Sequence, residues 1–220
     1  RLMSLQLDLD GQNYVMTNFR GDWAREMNRV DVECRSMVVN TTRTGNSSNH
    51  ANPFTMLCAK ATNETAGEGY GFNLIYSGNH YEAAEVSSQG KTRFVVGISP
   101  EEFAWTLGAG ESFQSPEAVM TYTAHGYREL SMHMHAFVRE HIVRGYWKNR
   151  VRPVLLNSWE AAYFKISESK LMNLARAGKE VGVELFVMDD GWFGQRNDDT
   201  SSLGDWTENR KKLPNGVKGL

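Results

Sequence analysis

The chain has 220 residues, of which 40% are hydrophobic and 23% charged, the balance of an ordinary globular protein of one or two domains. Lysine plus arginine number 24 and aspartate plus glutamate 26, so the net charge of −2 lacks the basic footprint of a nucleic-acid binder. The apolar runs fall far short of the roughly 20 residues that cross a bilayer, and the two cysteines, Cys34 and Cys58, form neither a disulfide framework nor a zinc ligand set.

No leader pattern opens the residues given. Arg1 is not an initiator, and Leu220 follows closely on the turn Leu213-Pro214-Asn215-Gly216, after which a helix is expected. The chain therefore reads as a piece of a longer protein. Aromatic residues are plentiful, with six Trp, eight Tyr and ten Phe, although most aromatics are core.

Up to about residue 125 the pattern is β. Stretches rich in β-branched and aromatic residues cover 32–39, 54–59, 71–76, 81–86, 92–98 and 119–122. Turn clusters such as Asn46-Ser47-Ser48-Asn49 and Ser87-Ser88-Gln89-Gly90 separate them. Strands of this length and spacing predict an antiparallel sandwich. Residues 126–144 read as a helix, with Leu130, Met134, Phe137, Val138 and Ile142 at helical spacing and Gly145 closing it, and 126–151 as a connector.

From residue 152 the order becomes β, α, β. Val154-Leu155-Leu156 is a short apolar strand of the kind buried on both faces of a parallel sheet. Ser167 is the expected N-cap of a helix carrying Leu171, Leu174, Ala175 and Val181 on one stripe, and Gly182 ends it. A second apolar strand follows at Leu185-Phe186-Val187-Met188. Leu155 and Phe186 are 31 residues apart, which matches about 250 residues divided among eight βα units of a (β/α)8 barrel. A Rossmann sheet has similar spacing, but no GxGxxG follows either strand. Residues 152–220 are thus expected to supply the first two βα units of an incomplete barrel.

Barrel active sites lie at the C-terminal ends of the strands. Asn157-Ser158-Trp159-Glu160 follows the first strand and Asp189-Asp190-Gly191-Trp192-Phe193-Gly194 the second. Indole faces suit the apolar face of a sugar ring and carboxylates suit its hydroxyls. The competing reading makes each Trp a packing residue and Asp-Asp-Gly a solvated turn. A metal reading of Asp189-Asp190 is weak, because no Lys, Arg or glycine nest is expected beside the pair to hold a phosphate. His133 and His135, two apart on a helix, share no face and cannot chelate together. Asp198, Asp199, Asp205 and Glu208 fall on a long loop with turn or solvated roles. As a glycosidase pair Asp189 and Asp190 are poorly placed: a retaining enzyme needs two carboxyls about 5 to 5.5 Å apart on opposite sides of the anomeric carbon, and neighbours on one strand end approach from one side.

These residues resemble a family, the α-galactosidases of glycoside hydrolase family 36. The likeness is carried by the run from Arg152-Pro153 through Trp159-Glu160-Ala161, by the run from Leu185 to Gly194, and by Leu203-Gly204-Asp205-Trp206 and Lys212-Leu213-Pro214-Asn215-Gly216. Upstream, Gly21-Asp22-Trp23-Ala24-Arg25-Glu26, Asn52-Pro53-Phe54, Tyr70-Gly71-Phe72, Tyr76-Ser77-Gly78-Asn79 and Gly110-Glu111-Ser112-Phe113 extend it over nearly the whole chain. Two departures stand out: Asn49-His50-Ala51 replaces the commoner His-Gln-His, and Ser158 stands where many members have Asn.

The resemblance implies a multidomain β plus α/β protein. Residues 1–125 would be the later part of an N-terminal β-sandwich and 152–220 the start of the catalytic barrel. It implies retaining hydrolysis of terminal α-1,6-linked galactose from melibiose- and raffinose-type sugars, without a metal or other cofactor. Asp189 and Asp190 would bind the galactose hydroxyls at C4 and C6, Trp159 and Trp192 would line the pocket, and Trp23 would reach it from the sandwich. The nucleophile and acid/base are expected beyond Leu220, so the isolated chain is expected to be inactive. A transferase of the same lineage and a non-catalytic sugar-binding fragment are the alternatives. The expected partner is an α-galactoside oligosaccharide, with a homo-oligomer such as a tetramer expected, and neither nucleic acid nor membrane. Asn40-Thr41-Thr42, Asn46-Ser47-Ser48 and Asn63-Glu64-Thr65 fit the glycosylation sequon; the expected location is cytoplasmic, or secreted if the source is a fungus.

Overall fold

A computed structural model describes residues 3–101 and 103–220, which divide into two compact units between Val143 and Arg144. The first unit holds nine strands: β1 (Met3–Asp10), β2 (Tyr14–Arg20), β3 (Asn28–Glu33), β4 (Met37–Thr41), β5 (Ala51–Ala59), β6 (Gly69–Ile75), β7 (His80–Val86), β8 (Lys91–Ile98) and β9 (Glu117–Thr123). They form an antiparallel five-stranded sheet in the order β3-β2-β5-β6-β9 and a four-stranded one in the order β1-β8-β7-β4.

The inner faces of both sheets share one core that includes Met16, Leu57, Phe72 and Leu74 from the first and Ala84, Phe94 and Val96 from the second. Phe72 and Phe94 stack across it with ring centroids 4.0 Å apart. Burial of each such side chain is worth about 1.5 to 3 kcal/mol. This is the sandwich that the strand pattern predicts.

One predicted strand is in fact two. The stretch 32–39 is cut after Cys34, whose N–H still pairs with the Tyr14 carbonyl of the first sheet (2.9 Å). The chain then turns at Arg35 and Ser36, and Met37–Thr41 pairs with β7 in the second sheet. The polar pair Arg35-Ser36 marks the break in the sequence. Strands β1 and β2 lie outside the predicted stretches, although Leu5, Leu7 and Leu9 alternate with Gln6, Asp8 and Asp10 at the period of a half-buried strand.

Helix α1 (Gly126–Phe137) packs against β6 and β9 of the first unit. Gly126 has φ +83°, and a Cβ there would lie 2.3 Å from the Asn63 carbonyl oxygen, so only glycine fits the helix start. Leu130, fully buried, lies over Gly71, where a Cβ would come within 2.8 Å of Leu130 Cδ2. The helix does not run to Arg144 as its periodicity predicts. It widens into a π turn at Val138–Ile142, closed by Val143 N–H on the Val138 carbonyl, and Val143 is extended.

The second unit contains β10 (Leu155–Asn157), the short helix α2 (Trp159–Ala162), helix α3 (Glu168–Glu180) and β11 (Leu185–Val187). The two strands are parallel and in register, Leu155 opposite Leu185 and Asn157 opposite Val187. Ser167 Oγ caps α3 by accepting from Lys170 N–H (3.3 Å), as expected. Of the expected stripe on α3, Leu171 is buried and Leu174 and Ala175 are half-buried, but Val181, the C-cap, is 81% exposed, and Gly178 is buried as well. Gly178 faces Leu156, whose Cδ2 would lie 3.0 Å from a Cβ, so the helix crosses its strand at the residue with no side chain. Leu155 and Leu185 are half-exposed in the two strands of this chain.

A polar cluster interrupts the sandwich core. Glu82, fully buried on β7, accepts from Asn40 Nδ2 (2.7 Å) and Thr55 Oγ1 (2.5 Å), both on Oε2. Thr55 Oγ1 accepts in turn from Asn18 Nδ2 (2.9 Å), and Asn40 Oδ1 accepts from Arg20 (2.8 Å). His80 Nε2 faces the Ala51 carbonyl at 2.9 Å, which requires Nε2 to carry the proton. His80 Nδ1 and Glu82 Oε1 then face each other at 3.6 Å with no other partner. Burial pushes the Glu82 carboxyl up to about 7 and holds His80 below its ordinary value. Glu82 thus carries its proton more tightly folded than unfolded. Its contribution is fully present below about pH 4.5 and is lost as pH rises to about 7. Glu82→Gln keeps the acceptor for Asn40 and Thr55 and removes that loss. Calorimetric unfolding should show the variant gaining on the parent between pH 5 and pH 8, by up to about 3 kcal/mol; an unchanged pH slope would exclude Glu82 as its source.

Candidate functional site

Parallel pairing of β10 and β11 brings their C-terminal ends side by side, and Ser158 joins them. Its N–H donates to the Val187 carbonyl (3.0 Å), and its buried hydroxyl accepts from Asp189 N–H (3.1 Å). Asn157 Nδ2 donates to Asp189 Oδ2, while Asn157 Oδ1 accepts the Trp159 N–H (2.8 Å) that opens α2. One strand end therefore holds both Asp189 and Trp159. The serine that departs from the resembled family is the bracket between the strands.

Trp159 is half-buried and meets Tyr163 and Phe164 edge-on, with centroids 5.1 and 4.9 Å away. Tyr163 sits at φ +46°, a conformation that non-glycine residues rarely adopt, in the turn that places these rings. Gly191 has φ +90° and lies against the Phe164 backbone, 3.1 Å from where a Cβ would be. The strand itself ends at Val187, and Gly191 sits in the turn that carries the chain away after Asp190. The two aspartates thereby avoid the opposite-face alternation of an extended strand.

Asp189 Oδ1 accepts the Asp190 N–H (2.7 Å). Together with Asn157 this uses about two of the roughly four acceptor positions of a carboxylate. Asp190 is more fully engaged. Its Oδ1 accepts the Gly191 N–H (2.7 Å), and its two oxygens take Arg196 Nε at 2.9 and 3.0 Å and Nη2 at 2.8 Å. Three N–H groups leave about one acceptor position open, and the side chain remains 21% exposed. The Arg196 hydrogen bonds hold the Asp190 carboxyl below its ordinary value.

Arg196 was not anticipated. The expectation that no Lys or Arg lies beside the aspartates is wrong, because the loop after β11 folds back and returns Arg196 to Asp190 and Lys212 to Gly191. Lys212 Nζ donates to three carbonyls, those of Phe164 (2.9 Å), Gly191 (2.8 Å) and Arg196 (2.7 Å). Asn209, buried, donates to the carbonyls of Trp192 and Gly194 at 2.8 Å each. A guanidinium on Asp190 also makes this carboxylate a poor cation ligand. Of the loop acids, Asp198 caps Thr200, and Glu208 pairs with Arg210 and accepts the Val217 N–H.

The remaining candidates are placed differently. Trp192 is half-buried against the cluster of Ala162, Ile166, Leu171 and Leu213, with its ring edge-on to Phe193. Trp23 belongs to the first unit, in the loop between β2 and β3, and is 85% exposed. His133 meets Thr121 Oγ1 through Nδ1 (3.0 Å).

Lys212 is the residue on which the loop closes. Lys212→Met would leave three carbonyls unpartnered, a cost of about 1 to 3 kcal/mol. Hydrogen exchange should show faster exchange at Gly194, Asn209 and Leu213 with β7 and β8 unaffected; unchanged protection in the loop would exclude the clamp.

The fold and this arrangement have relatives. Residues 1–108 match the model of the glycosyl hydrolase family 36 N-terminal domain, and residues 112–220 match the melibiase model. α-Galactosidase AgaA of Geobacillus stearothermophilus is 45% identical over 224 residues, covering 100% of this chain and 30% of its own length. α-Galactosidase Mel36A of Lactobacillus acidophilus is 41% identical over 219 residues, covering 99% and 30%. Among solved structures, the α-galactosidase AgaB of Geobacillus stearothermophilus superposes with a TM-score of 0.95 at 44% identity, over 100% of this chain and 30% of that one. A variant of AgaA in complex with stachyose gives 0.93 at 43%, over 100% and 31%. The chain thus spans about 30% of the length of these relatives, and it belongs to glycosyl hydrolase family 36.

Proposed function

We propose that the protein is an α-galactosidase that hydrolyses terminal α-1,6-linked galactose with retention, and that this chain supplies its galactose-binding residues. The observation that carries the reading is the pair of adjacent carboxylates at the end of β11, fixed beside Trp159 at the end of β10 by Ser158 and Asn157. Relatives of the same family crystallised with stachyose and raffinose support the substrate class.

Asp189 has about two acceptor positions open and Asp190 about one, enough to take two hydroxyl protons from one sugar. A fixed pair of acceptors recognises the axial hydroxyl at C4 of galactose and disfavours glucose, in which that hydroxyl is equatorial, because one carboxylate oxygen would stay unpartnered. Trp159 and Trp192 offer apolar ring surface to the sugar. The nucleophile and the acid/base lie on later barrel strands, since Asp189 and Asp190 occupy one strand end and cannot flank the anomeric carbon.

In the full-length protein, Asp189→Asn and Asp190→Asn should each lower kcat/KM for p-nitrophenyl α-galactoside by about 10- to 100-fold, and a mechanism-based galactosyl fluoride should label neither residue. Label on either aspartate would overturn the role, and normal kinetics in both variants would remove them from the site. Trp159→Ala should cost about 1 to 3 kcal/mol in kcat/KM at an unchanged folded fraction. A steep fall in Tm with normal residual kinetics would instead make Trp159 a packing residue.

A further inference from the structure

We infer that Arg196 is a positioning residue for substrate binding, acting through Asp190. This rests on the proposed galactose-binding role of Asp190 and goes beyond it, because Arg196 itself has almost no surface to offer a ligand. It is 5% exposed, and its guanidinium is spent inside the loop. Nε and Nη2 grip Asp190, Nη1 donates to the Ser201 carbonyl (2.9 Å), and the Phe164 ring lies 5.3 Å from its central carbon.

A bidentate guanidinium fixes a carboxylate in plane as well as in position, which a lysine ammonium cannot do. With Arg196 in place, the orientation of the Asp190 carboxylate is set by three N–H groups from two directions, and its free edge is determined. Without it, the Gly191 N–H is the one remaining donor to Asp190, and the side chain can rotate. The backbone of Arg196 is held as firmly as its side chain, since its carbonyl is one of the three that Lys212 grips. The charged groups facing Asp190 are Arg196 and, more weakly, Lys212; Asp189 turns Oδ1 to the Asp190 N–H. Arg196 is thus the main reason that Asp190 stays ionised as acid is added.

The test is a double-mutant cycle in the full-length protein on p-nitrophenyl α-galactoside, using Arg196→Gln, Asp190→Asn and the pair, with Arg196→Lys as a fourth variant. Active sites are counted with the galactosyl fluoride so that kinetics refer to folded enzyme. Arg196→Gln should raise KM about 10-fold with kcat changed less than about 3-fold, and Arg196→Lys should fall between it and the parent. In the Asp190→Asn background, Arg196→Gln should add less than about 2-fold, since the residue through which it acts is already altered. The rise of KM on acidification should begin at higher pH in Arg196→Gln than in the parent. Effects of the two substitutions that multiply, an unmoved acid limb, or normal KM among the surviving sites would overturn the inference while leaving the role of Asp190 intact. A silent Asp190→Asn would overturn both.

Discussion

In the second unit every candidate residue depends on the in-register parallel pairing of β10 with β11. Three residues on each strand are few, and the pairing is held at its functional end by Ser158, which follows β10 and spends both its N–H and its hydroxyl on the end of β11, at Val187 and Asp189. Because side chains follow strand ends directly, a shift of one residue in that register would separate Trp159 from Asp189 and turn alternate side chains to the other face. The hydrogen bond from Asn157 to Asp189 exists in one register alone.

Charge is handled in a second layer. Two adjacent carboxylates repel, and a buried one is costly unless it is paired. The loop after β11 resolves this by assigning the partners unequally. Asp190 receives a guanidinium, and Asp189 receives amide donors. The result is a pair whose members differ in the number of acceptor positions left open. Lys212 acts on Asp190 weakly through its charge; its hydrogen bonds, like those of Asn209, tie off the backbone carbonyls of the loop.

The sandwich shows the opposite economy. Its core is mostly aliphatic and aromatic, yet it buries Glu82, Asn40, Thr55 and Asn18 in one chain of hydrogen bonds, with His80 buried beside Glu82. A network of this kind links β2, β4, β5 and β7 and therefore both sheets, and it specifies their pairing more narrowly than packing alone, at a cost in stability that depends on pH. Asn40, one of the residues in a glycosylation sequon, is fully buried here and spent on this network.

How much of this was legible in the residues follows from the range of the interactions concerned. Strands β5 to β9, the Ser167 cap, the βαβ order and the aspartates and tryptophans at the two strand ends all rest on local signals: alternation, turn residues, caps and spacing. The resemblance of the motifs from Arg152 to Gly216 identified the family. The break between β3 and β4, the exposure of Val181 and the π turn after Phe137 depended on which surface each segment packs against, and periodicity does not carry that. Arg196 and Lys212 were invisible for the same reason. Nothing in the five residues between Asp190 and Arg196, or the twenty-one between Asp190 and Lys212, says that the chain returns. The sequence by itself determined the element types and the chemistry available at the strand ends; the tertiary structure alone decided which charge meets which, because a loop's path is fixed by the distant carbonyls and carboxylates that it must satisfy.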